Sequence, residues 1–222
     1  MSLSDLFYPG NPEKREKIIR RSQELIDLMK SNFEATNSLT EMVNKHLHSS
    51  FSPITLDEKA TVKQNCDVMI ERVNQILAKV QEVDEELKKK LEPTLYESLQ
   101  HMSLQSFNNI PAADKTAIKS VCQFPAAVLV KCLMKNMRSL TGIIFIFACI
   151  STGVVGSILM GLVVGFVITD VVVSGILGYI EKGKLETALA EYEEALAEFR
   201  PASKKYDMAI YEVMFLLKYM KE

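Results

Sequence analysis

Tryptophan is missing from the chain, aromatic residues make up only 8% of it, and neither sign of charge dominates. Each absence excludes something. Without Trp there is no Trp girdle to mark a membrane interface, and Tyr179 alone stands where one would be expected. With 26 Lys and Arg against 28 Asp and Glu there is no basic face to follow a nucleic-acid backbone. The four cysteines (66, 122, 132 and 149) form no C-x-x-C, which points to reduced thiols on the cytosolic side rather than a disulfide framework. The opening MSLSDLFYPGNPEKREKIIRR lacks the apolar core of a secretory signal, so none is expected. Phosphate-cradling glycine loops, nucleophile elbows and H-E-x-x-H are equally missing. His46 and His48 make an H-x-H pair without a cysteine or carboxylate cluster beside them, as at a solvated helix end. Glu92, Glu97 and Asp84-Glu85-Glu86 read as helix-surface charges. The sequence therefore assigns no catalytic, cofactor or metal residue, and an enzyme is not expected.

What is present is a long uncharged run. Between Ser139 and Ile180 the only charge is Asp170, and this stretch holds seven of the nine glycines and none of the seven prolines. A soluble helix shows water a polar face, so such a run reads first as a membrane segment in contact with the lipid bilayer. Residues 139–169 make about 46 Å of helix, and a hydrocarbon core of about 30 Å needs only about 20 residues. One tilted crossing fits; two fit if Asp170 is taken into the membrane. Gly153, Ser157, Gly161, Gly165 and Thr169 recur every four residues, a ridge that lets another helix approach closely. Asp170 is interfacial in a single span and embedded in a hairpin, where it costs about 2.5–3.5 kcal/mol on insertion scales. Counts of Lys and Arg flanking the run lean towards a cytosolic N-terminus.

The flanks are heptad-patterned. A first helix is expected from Asn11, as N-cap, with its apolar face at Ile18, Leu25, Met29, Phe33, Leu39, Val43 and Leu47. A second is expected from Thr55, capped with Glu58. Its seam runs Val62, Cys66, Met69, Val73, Ile76, Val80, Val83 and Leu87, alternating by four and three as in a coiled coil. The two should form an antiparallel hairpin. A third helical stretch, 112–138, is crossed by Pro125 and sets Lys131, Lys135 and Arg138 on one face, suited to a headgroup layer or to solvent. After the run the heptads return at Leu185, Leu189, Tyr192, Leu196, Phe199, Ser203, Tyr206, Ile210, Val213, Leu217 and Met220. Their phase survives Pro201, as in one continuous helix. Either the Val62–Leu87 seam or another copy of the chain could serve as partner.

The segments LFYPGNPEKRE, FEATNSLTEMVNKHL, VKQNCDVMI, EVDEELKKKLEPTLY and ILGYIEKGKLETAL resemble the single-pass membrane and coiled-coil domain-containing proteins. The likeness covers both ends and the end of the uncharged run, but not residues 98–138. It implies membrane attachment and coiled coils, and no activity or functional residue. The expected fold is all-α: an elongated antiparallel helical bundle or coiled coil with a long glycine-rich hydrophobic helix or helical hairpin. Residues 1–110 form a helical hairpin, 111–138 a basic amphipathic segment, 139–180 the membrane segment and 181–222 the last coiled helix. The leading expectation is a non-enzymatic, membrane-anchored protein that pairs with itself or a partner protein through its seams. The alternative is a helical protein that stays soluble until a hydrophobic hairpin is released into a bilayer.

Overall fold

Glu, Lys, Leu and Ala fill the charged flanks with little glycine, a composition that favours helix. The computed structural model is helical accordingly, with no strand among the described residues, which are 10–152, 156 and 175–219. The elements are α1 (Asn11–Leu47), α2 (Val62–Lys90), α3 (Pro93–His101), a 3-10 turn (Leu104–Asn109), α4 (Ala112–Lys119), α5 (Phe124–Lys135), α6 (Met137–Thr152) and α7 (Gly175–Tyr219). Three start differently from expectation. The Gly10 carbonyl accepts the Lys14 N–H at 3.2 Å, so α1 is already helical at Asn11. α2 begins at Val62, seven residues after Thr55, because a better capping box lies downstream. The Gln64 N–H donates to Thr61 Oγ1 at 3.1 Å while the Thr61 N–H donates to Gln64 Oε1 at 2.9 Å. Pro125 does not cross a helix; it sits in the first turn of α5, which bends 89° from α4.

α1 closes with His48 at φ 53°, a left-handed residue just past the helix end. Two asparagines on α1 then hold the extended loop that follows. Asn44 and Phe51 exchange hydrogen bonds of 2.8 and 2.9 Å, and Asn37 and Ile54 exchange two of 2.8 Å. Each side-chain amide thereby satisfies one N–H and one C=O of a backbone with no ladder partner.

The chain folds into two compact units, each built from several stretches of sequence. One gathers α1 up to Phe33, Thr55–Ile70 and the described residues from Ile143 to Ser203. Within it α1 and α7 lie side by side and parallel, as their cross-links rise together along both helices. Lys14 pairs with Glu186 at 2.5 Å, Arg21 with Glu193 at 3.8 Å, Glu24 with Arg200 through both guanidinium contacts, and Asn32 donates to Ser203 at 3.0 Å. The apolar face expected for α1 is buried along its whole length, Ile18 to Leu47.

The other unit contains Glu34–Ile54, Glu71–Gly142 and the residues from Lys204 onward. Here the Thr36 and Tyr206 hydroxyls meet at 2.7 Å, both buried. Val73, Ile76, Val80, Leu87, Ile210 and Val213 are fully buried in the same unit. α7 runs unbroken through Pro201, as the surviving heptad phase predicts.

Candidate functional site

The uncharged run was expected to carry the function, and the structure describes its first part, in α6, and its last residues, where α7 begins. α6 is apolar but has 16 residues, about 24 Å at 1.5 Å per residue. Among the described residues no single helix is long and apolar enough to cross a membrane; the bent pair α4–α5 passes by length and composition together. Gly153, Ser157, Gly161, Gly165, Thr169 and Asp170, the small-residue ridge and its flanking acid, lie outside the described residues. At Gly156 a Cβ would stand 2.5 Å from the Ser151 carbonyl oxygen, so any larger residue would force a backbone shift there.

The arms on the two sides of the run meet within the first unit. Phe147 of α6 and Phe199 of α7 are both fully buried, with ring centroids 5.2 Å apart in an edge-to-face contact. Beyond that pair a cavity of about 310 Å³ is walled by Ile146, Cys149, Ile150 and Thr152 on one side and Glu191, Glu194, Ala195 and Glu198 on the other. As α6 advances from Phe147 to Thr152, the facing positions on α7 fall below 199, so the two helices run antiparallel. Leu140, Ile143 and Ile150 continue the buried face of α6, while Phe145 is 64% exposed and Cys149 is exposed.

In the second unit a polar cluster fixes the helix that leads into α6. The Lys131 ammonium donates to Asp84 Oδ1 at 2.6 Å, and the Tyr96 hydroxyl donates to Asp84 Oδ2 at 2.9 Å. The same ammonium lies 3.6 Å from the Tyr96 ring centroid, and Gln100 donates to the Tyr96 hydroxyl at 2.9 Å. The Lys131 and Asp84 side chains are 4% and 7% exposed. Burial holds the Lys131 ammonium below its ordinary pKa even though Asp84 acts in the other direction, so desolvation outweighs the attraction. Burial, with the Asp84 hydrogen bond second, pushes the Tyr96 phenol up to about 12.

This corrects two expectations. Lys131 does not share a surface face with Lys135 and Arg138; those two are exposed, and Lys131 turns inward to meet Asp84. Asp84 is not a surface charge. Leu77, Val80, Asp84, Leu87 and Leu91 are all buried, and they too are spaced by three and four. Asp84 therefore occupies an inward position of that series, with Val83 half-buried beside it. The seam positions Val62, Val73, Val80, Leu87, Leu196, Tyr206, Ile210 and Val213 are buried inside this chain, and Leu189 is half-buried. Among the described residues no group of three or more His, Cys, Asp or Glu converges as a metal site would require.

A family described as a protein of unknown function, DUF4533, matches residues 14–168, and the chain belongs to that family. No solved structure matches it.

Proposed function

We propose that this is a non-enzymatic helical-bundle protein that presents its uncharged segment to a lipid bilayer as a hairpin, with both flanking helices held on one side. The observation that carries this reading is the arrangement of the first unit. α7 lies parallel to α1 through Lys14–Glu186, Arg21–Glu193 and Glu24–Arg200, and antiparallel to α6 through Phe147–Phe199. A single crossing between α6 and α7 would place α1 and most of α7 on opposite sides of the membrane. All of these pairs would then have to break. A hairpin keeps every one of them.

The seams weigh on the same side. A protein that binds partners through heptad faces must leave those faces available, and most of the described seam positions here are buried within the chain. The reading keeps the membrane contact implied by the resemblance to single-pass coiled-coil proteins and departs from its single crossing. Asp170 then falls within the hairpin, where it requires protonation, pairing or a polar surrounding.

Topology tests this directly. Single cysteines at the exposed positions Lys59 and Lys205, in a chain whose four native cysteines are replaced by alanine, are labelled in intact and in permeabilised vesicles. Both sites should react from the same side, and the protein should resist carbonate extraction. Labelling from opposite sides means one crossing and ends the hairpin reading; complete release by carbonate ends the insertion reading.

A further inference from the structure

The second unit carries a surface feature that the hairpin does not use. A groove of about 1100 Å³ runs between the end of α1, the α4–α5 corner and the last turns of α7. Four of its lining residues are lysines (Lys45, Lys115, Lys119 and Lys218), while Glu41 is the only carboxylate among the described residues that line it. Its floor and lip are apolar: Phe124 is buried, whereas Tyr211 and Phe215 are 60% and 66% exposed. Tyr219, one turn beyond Phe215, is also exposed, with its ring centroid 4.5 Å from that of Phe215. The lysines lie against rings, Lys115 at 5.2 Å from the Phe124 centroid and Lys218 at 5.8 Å from that of Tyr219.

Exposed aromatics cost free energy in water, so these rings need a cover that also accepts clustered positive charge. Two kinds of surface offer both properties, an acidic protein and a bilayer rich in acidic lipid. The composition separates them. Protein interfaces favour Arg and are depleted in Lys, and no arginine is among the described residues that line this groove. A headgroup layer takes lysine ammonium groups as point charges, each contributing about 1 kcal/mol near an acidic membrane, and Tyr and Phe settle at the boundary below.

We infer that this groove docks the second unit on the surface of a bilayer containing acidic phospholipid. The inference rests on the membrane reading above and names the lipid class that the reading leaves open. Docking of this kind is reversible and salt-sensitive, whereas insertion of the uncharged segment is neither.

The test is co-sedimentation of the full chain with phosphatidylcholine vesicles, with and without phosphatidylserine, at low and high salt. Three chains are compared: wild type, Lys115→Gln/Lys119→Gln and Tyr211→Ser/Phe215→Ser. Wild type should favour the acidic vesicles and lose that preference at high salt. Removing two lysines should weaken binding to acidic vesicles roughly thirtyfold and leave binding to neutral vesicles unchanged. The aromatic variant, altered only at exposed positions, should also weaken it while keeping native helicity. Equal binding of wild type to both vesicle types overturns the docking face and leaves insertion standing. Binding to neither overturns both. Unchanged binding by the lysine variant, or equally tight lipid-free binding of wild type to polyglutamate, overturns the assignment of this groove to lipid.

Discussion

Asp84 and Lys131 are 47 residues apart in sequence and 2.6 Å apart in the fold, each almost wholly screened from water. Removing one partner strands the other as a buried charge. Lys131→Met or Asp84→Asn alone should cost about 3–5 kcal/mol, read by urea denaturation. The double variant Asp84→Asn/Lys131→Met should recover most of that loss, since asparagine still accepts from Tyr96 and no unpaired charge remains. A loss in the double variant equal to the sum of the two single losses would show that the pair is not coupled.

The contact between the Thr36 and Tyr206 hydroxyls is the buried polar link between α1 and α7 in the second unit. Tyr206→Phe removes this hydrogen bond and should cost about 0.5–1.5 kcal/mol. Thr36→Val/Tyr206→Phe removes both hydroxyls and should come closer to wild type than the single change. Chemical denaturation of the three chains decides this.

Cysteine reactivity should follow burial. Burial pushes the Cys66 and Cys132 thiols up to about 12 and Cys122 up to about 11, so little thiolate forms at neutral pH. Cys149 is exposed on α6. A thiol reagent should modify one cysteine quickly, mapping by mass spectrometry to Cys149, and reach Cys66 and Cys132 only on unfolding. Adding acidic vesicles should protect Cys149 if α6 moves towards lipid.

Acid should loosen the α1–α7 pairing. The Arg200 hydrogen bond holds the Glu24 carboxyl below its ordinary 4.5, and the Lys14 hydrogen bond does the same for Glu186. Both carboxyls are charged in the folded and the unfolded chain above 4.5, so their contribution is full there. It declines as pH falls below 4.5 and is lost once pH passes the depressed folded values. Tm should therefore drop between pH 5 and pH 3 (ordinary carboxylate range), and Glu24→Gln should lower Tm at pH 7 while flattening that drop. Solvent screening keeps the effect small.

Phe199→Ala removes the ring against which Phe147 packs, and should destabilise the fold by about 3–5 kcal/mol. In the hairpin reading that contact persists in the membrane-bound protein, so the fraction taken up by vesicles should not rise. Greater uptake would mean that α6 must leave α7 before the uncharged segment meets lipid.

Much of this fold is legible from spacing. The apolar positions of α1 and the heptad positions of α7 from Tyr192 to Val213 are buried where periodicity puts them, because a buried stripe demands it. Errors arise where two local signals compete. Thr55 with Glu58 and Thr61 with Gln64 both spell a capping box, and only the fold selects the second. Asp84 escapes notice because a charge among charges looks solvated; Leu77 and Leu91 on the same stripe are the clue to its inward position. Lys131 is misplaced for the same reason, since its partner is remote in sequence. The basic groove is illegible because its lysines come from three distant helices.

The parallel pairing of α1 and α7 also sets an order of events during synthesis. Lys14 must wait for Glu186, 172 residues later, which takes about 10–35 s at ordinary elongation rates. The uncharged segment leaves the ribosome within that interval, before α7 exists to complete the first unit. Whatever receives nascent apolar chains therefore meets this segment before α7 is available to complete the first unit.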